Sequence, residues 1–160
     1  MQKITPFLWF DGKVEEAARF YTSIFPHSEI KNLTRAPEGI PVPAGEVMSA
    51  TFVLEGQEFM ALNGGPQFQF NESVSFFIRC ETQEEIDRYW EALSEGGQPG
   101  RCGWLKDRYG LSWQVVPTAL DEMLKAGDPE KSKRVMQALM QMDKLDMAGL
   151  EEAYHLEAAR

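Results

Sequence analysis

Histidine and cysteine are nearly missing from this chain, with two of each in 160 residues. Cys80 and Cys102 form neither a CxxC pair nor a zinc knuckle, and two cysteines do not make a disulfide framework. Cys80 ends an apolar run and reads as core filler. Cys102 stands among Gly100, Arg101 and Gly103, where Arg101 would favour the thiolate but no nearby base is visible. His27 and His155 do not assemble into a Ser–His–acid or Cys–His arrangement. No run of about 18 apolar residues exists, and the opening MQKITPFLWFDG turns polar too soon for a signal peptide, so a reducing cytoplasm is the expected compartment. Basic residues are also in deficit, 16 against 25 acidic ones, for a net charge of −9. An acidic surface repels phosphate backbones and anionic lipids, so neither nucleic acid nor membrane is an expected partner. The acid pairs Glu84-Glu85 and Glu151-Glu152 read as solvated helix faces.

What is present is one pattern written twice. Ile4–Phe10 is rich in aromatic and β-branched residues and predicts a strand, with Pro6 tolerable near its start. Val14, Ala17, Ala18, Tyr21, Ile24 and Phe25 then recur at three- and four-residue spacing, predicting a helix over 14–25 that Pro26 stops. Strands follow over 28–33, 46–54 and 57–62, the last two joined by Glu55-Gly56 as a hairpin. Residues 36–45 hold three prolines and two glycines and predict a loop, either a rim over a pocket or a plain connection. The second copy opens with Val74–Cys80 and a helix over 84–94, where Thr82 and Glu85 have capping-box spacing. Strands over 103–106 and 111–116 end it, separated by the turn Asp107–Gly110. Two such halves imply an α+β fold with a curved, mostly antiparallel sheet cupped around a cavity.

The remaining residues lack β-branched runs and predict helices over 119–126, 129–141 and 147–157. Asp128 is the N-cap of the second, with Pro129 at its first position. Val135, Leu139 and Met142 share a face that Met136 and Met140 widen, either an adaptable binding surface or a packing face. The organisation is therefore a domain over 1–117, in halves of about 1–66 and 67–117, with a helical extension over 118–160.

The stretch Pro6-Phe7-Leu8-Trp9-Phe10-Asp11-Gly12, with Glu15-Glu16-Ala17-Ala18-Arg19-Phe20-Tyr21 after it, closely resembles the PhnB-like proteins. These belong to the vicinal oxygen chelate superfamily, the glyoxalase and bleomycin-resistance fold, and often carry the label 3-demethylubiquinone-9 3-methyltransferase. Gly103-Trp104 and Asp107-Arg108-Tyr109-Gly110-Leu111-Ser112-Trp113-Gln114 match as well, as does Met136-Gln137-Ala138-Leu139-Met140 in the tail. The resemblance implies two βαβββ modules and a homodimer, some relatives exchanging modules between subunits. It also implies four metal-ligand positions, filled in active members by His, Glu or Gln. Those positions fall near Ile4, near Met60 or Ala61, near Val74 or Ser75, and on Gln114. One amide cannot replace three lost ligands, so no metal and no other cofactor is expected. The methyltransferase label finds no support in a cofactor motif: Asp11-Gly12-Lys13 is not a GxG turn, and Asn63-Gly64-Gly65 runs into Pro66 rather than a helix.

Alternation puts Phe7 and Trp9 on one strand face and Leu8 and Phe10 on the other. If Gln114 points inward, Leu8 or Phe10 is expected to do so too. The candidate pocket residues are Leu8, Phe10, Met60, Asn63, Trp104, Asp107 and Gln114. They would make an aromatic, mostly apolar pocket for a small apolar or aromatic molecule, unless the same aromatics fill the cup. Asp107 is also placed to cap its turn, and Asn63 to form one. The expected function is binding of such a molecule, the alternative being an enzyme of the family's labelled methyl transfer.

Overall fold

The computed structural model describes residues 2–156, and the chain divides into two units, one ending at Phe70 and the next beginning at Asn71. The first contains β1 (Phe7–Phe10), α1 (Val14–Ile24), β2 (Ser28–Arg35), β3 (Val47–Leu54) and β4 (Gln57–Asn63). Its sheet runs β1-β4-β3-β2, with β1 parallel to β4 and the other pairs antiparallel. β1 starts later than Ile4 because Pro6 has no N–H to give, although its carbonyl still accepts from the Met60 N–H at 2.9 Å. Val14, Ala17, Ala18 and Tyr21 form the buried stripe of α1. Tyr21 stacks on Phe52 and Phe52 on Phe59, with ring centroids 6.1 and 5.5 Å apart, so this sheet face lies under the helix. Glu55 and Gly56 both have positive φ, 47° and 83°, the geometry of a tight hairpin turn that follows strand twist. The proline-rich loop closes on itself at its base, where the Ala36 N–H donates to Glu46 and the Gly45 N–H to Ala36.

The second unit repeats the plan with β5 (Ser75–Cys80), α2 (Gln83–Ser94), β6 (Gln98–Pro99), β7 (Trp104–Lys106) and β8 (Ser112–Pro117). The order is β5-β8-β7-β6, again with β5 parallel to β8 and the other pairs antiparallel. Both units are thus βαβββ modules. Thr82 caps α2 by accepting from the Glu85 N–H at 3.2 Å, and the Glu85 carboxylate accepts from the Glu81 N–H at 2.9 Å. Ile86, Tyr89, Trp90 and Leu93 face inward from this helix.

Three helices continue the second unit: α3 (Thr118–Lys125), α4 (Pro129–Leu139) and α5 (Met147–His155). The sequence-predicted end of the last, Glu157, lies outside the described residues. Asp128 caps α4 through the Glu130 and Lys131 N–H groups, and Asp146 caps α5 through that of Ala148. Leu120, Met123, Val135, Leu139, Leu145 and Leu150 form a core with Val116 of β8, while Met136 and Met140 stay exposed. Burying such aliphatic side chains stabilises by about 1.5–3 kcal/mol each, so the helices form a layer of this unit. Main-chain bonds reinforce it: the Cys102 and Gly103 N–H groups donate to Met142 and Asp143 carbonyls, each at 2.8 Å. The Gln83 amide bridges in the same way, donating to Leu145 and accepting from Met147. Among the described residues, no helix is long and apolar enough to cross a membrane.

Candidate functional site

α1 and α2 each cover one face of their sheet, so the pleat sends alternate side chains to the opposite, helix-free face, which α3 borders only beside Phe77. In the first unit, Phe7 stands beside Met60 on that face and Trp9 beside Leu62. Phe7 is 53% exposed and Met60 38%. The Trp9 indole donates to the Gly65 carbonyl at 2.9 Å and meets Phe68 edge-on. A Cβ on Gly64 would overlap that indole, so the close approach requires glycine. Met60 and Val53 floor an open groove of about 640 Å³ whose polar walls include Glu29, Lys31 and Glu58.

The second unit has the corresponding arrangement. Phe10 and Asn63 pair immediately before α1, as Cys80 and Pro117 do before α2. Counted back from those pairs, Phe77 with Gln114 takes the place of Phe7 with Met60. Gln114 pairs with Trp104 on its other side, and its amide donates to the Ser75 hydroxyl at 3.0 Å. Trp104 lies over a hollow of about 160 Å³ with Pro99 and the Glu72–Lys106 ion pair. The hydrogen bond from Lys106 holds the Glu72 carboxyl below its ordinary value. A second hollow of about 200 Å³ is lined by Phe77, Arg79 and Pro117 and by Thr118, Asp121 and Lys125 of α3.

Leu8, Phe10 and Asn63 do not line a pocket, and of its two expected roles Asp107 takes the turn-capping one. Leu8 and Phe10, expected to line the cavity, are 6% and 3% exposed and pair with Ala61 and Asn63 on the helix-covered face. α1 needs an apolar floor, and these two side chains supply it. Asn63 is spent on structure: its Oδ1 accepts from the Val14 N–H at 2.9 Å, standing in for the cap that Lys13 does not provide, and its Nδ2 donates to Val47. Asp107 is 2% exposed and braces its turn, accepting from the Tyr109 and Leu111 N–H groups and from the Trp113 indole. Met60, Trp104 and Gln114 do lie on helix-free faces. Ile4 and Val74 are exposed and outside the strands, so the residues beside Met60 and Gln114 are Phe7 and Phe77. Sequence reasoning missed these two and Arg79. The available signal was Arg79 itself, because a guanidinium two residues from Phe77 marks that strand face as the one α2 does not cover.

Paired βαβββ modules define the glyoxalase/bleomycin-resistance-like fold. The fosfomycin resistance protein of Listeria monocytogenes shares it at a TM-score of 0.54 and 14% identity, over 76% of this chain and 97% of that one. Within that fold class, the chain belongs to the 3-demethylubiquinone-9 3-methyltransferase family, whose model matches residues 2–116. The PhnB protein from Bacillus cereus is 43% identical, with a TM-score of 0.68 over 72% of this chain and 99% of that one. A Pseudomonas aeruginosa protein is 23% identical at a TM-score of 0.61, over 73% of this chain and 98% of its own. No curated protein matches the chain.

The superfamily implies a divalent ion and the family description a methyl donor; neither fits the residues found. Two benzyl groups, a thioether and an amide already bonded to Ser75 offer a hard ion almost nothing. His27 and His155 are exposed, and among the described residues no three His, Cys, Asp or Glu side chains gather to hold a metal. For S-adenosylmethionine, neither sheet is doubly wound, and the first N–H of α1 is taken by Asn63. Cys80 offers no nucleophile either, since burial pushes its thiol up to about 12.

Proposed function

We propose that the protein binds a small apolar or aromatic molecule on its helix-free sheet faces, with no ion to activate it. The observation that carries this reading is the matched pairs Phe7/Met60 and Phe77/Gln114: three exposed apolar side chains and one half-buried amide where the superfamily would place ligating groups. Trp104 adds an aromatic wall beside Gln114, and the Gln114 amide a polar contact that orients a ligand without reacting with it. Exposed Ile4, Phe7, Val74 and Phe77 support a homodimer, in which part of this surface is covered. Two free thiols support a reducing cytoplasm. The acidic balance disfavours nucleic acid and membrane as partners.

The test uses the neutral fluorophore N-phenyl-1-naphthylamine in EDTA. Its emission should rise and saturate at a fixed stoichiometry, and Phe7→Ala or Phe77→Ala should weaken binding about tenfold through lost ring contact. Unchanged emission, or stoichiometric divalent metal in untreated protein, would overturn the reading. A second reading, methyl transfer, is favoured by the family description alone. Calorimetric heat from S-adenosylmethionine at millimolar concentration would promote it over the first.

A further inference from the structure

The hollow between the second sheet and α3 combines features that a purely apolar site would not need. Phe77 is 47% exposed, and the Arg79 guanidinium carbon lies 5.4 Å from its ring centroid. That contact places the planar fork at the rim without using its hydrogen-bond donors. Among the described residues no carboxylate forms an ion pair with Arg79, whereas the Lys125 ammonium across the hollow is held by Asp121 at 2.8 Å. The lining carries two cations and one carboxylate, and a second carboxylate, Glu81, accepts from the Thr118 hydroxyl at its edge at 3.3 Å. The far wall begins at Thr118, beyond the family match that ends at residue 116. The helical extension therefore builds half of this hollow.

We propose that the hollow is a subsite for the carboxylate of a small aromatic acid, with Phe77 carrying the ring and Arg79 the anion. This deepens the function proposed above and rests on it. A bidentate carboxylate satisfies the guanidinium that the sheet leaves unpaired, while the ring stays on the Phe77 face. The volume of about 200 Å³ accommodates a single aromatic ring. A monoanion needs only the Arg79 fork; a dianion would be repelled by Asp121 and Glu81.

The experiment titrates benzoate and its neutral near-isostere benzamide into the full chain, following backbone amide NMR signals. Benzoate should bind about tenfold more tightly than benzamide, shifting residues 77–80 and 118–125. Arg79→Gln should erase that preference, and Arg79→Lys should keep part of it. Asp121→Asn should strengthen benzoate binding several-fold, a gain that damage to the fold would not produce. Equal affinities, or a preference that survives Arg79→Gln, would overturn the subsite. So would shifts confined to other residues. Any of these results combined with saturable N-phenyl-1-naphthylamine binding would leave the broader binding function standing; loss of both would remove the two together.

Discussion

Asp107 allows a sharp test of whether a buried carboxylate here serves chemistry or architecture. Its Oδ1 accepts from Tyr109 at 2.8 Å and Leu111 at 3.1 Å, and its Oδ2 from the Trp113 indole at 2.9 Å. Hydrogen bonds to a charged group contribute about 1.5–3 kcal/mol each, and a buried donor left unmet costs about 1–3 kcal/mol. Asp107→Asn retains an oxygen for the two backbone N–H groups but turns an amide NH₂ toward the indole N–H. The expected loss is about 2–4 kcal/mol, read from urea unfolding by linear extrapolation. Trp113→Phe removes the opposing donor, so the double variant should cost at least about 1 kcal/mol less than the sum of the singles. The affinity of the folded protein for N-phenyl-1-naphthylamine should stay within about twofold throughout. Strict additivity would show that the carboxylate and the indole are not coupled. An Asp107→Asn protein that is fully stable but cannot bind would make Asp107 a site residue, and the brace argument would fail.

Asn63→Ala removes the cap of α1 and the tie to Val47, and should cost about 1–2 kcal/mol in the same unfolding assay. With its thiol pushed up to about 12, Cys80 should react with Ellman's reagent at pH 8 only after denaturation, so native protein should show no more than one reactive thiol. The Asp87 carboxyl is held below its ordinary value of 3.8 by hydrogen bonds from Gln83 and Lys144. A lowered folded pKa contributes stability that is present above pH 3.8 and lost as pH falls through the folded value. Asp87→Asn should therefore flatten the acid limb of the stability curve below that pH, measured by circular dichroism.

Wherever one local rule decided the outcome, the element was legible in the sequence. Thr82 and Glu85 announced α2, Asp128-Pro129 announced α4, and Glu55-Gly56 announced the β3–β4 hairpin. β6 was not legible, because a two-residue strand has no period and exists only through its pairing with Leu105 and Lys106. The site was harder. Alternation correctly separated Phe7 and Trp9 from Leu8 and Phe10, yet all four are apolar, so nothing local says which pair the helix covers. Asn63 misled for a related reason, whereas the turn-capping reading of Asp107 was local and is met by the Tyr109 and Leu111 N–H groups. The partners of Asn63, Val14 and Val47, become its neighbours only once the sheet has formed, as does the Trp113 indole that Asp107 also accepts from.

The Gln83 side chain behaves as a borrowed peptide group, since its amide gives one bond to Leu145 and takes one from Met147 much as a neighbouring strand would. Helix α2 and the chain's last segment are consequently stitched together in the manner of a ladder rung. Peeling that segment away would strand donors at Cys102, Gly103 and Met147 at once. Amide exchange at these three positions should therefore slow together and quicken together, the behaviour of a permanent wall rather than a hinged flap.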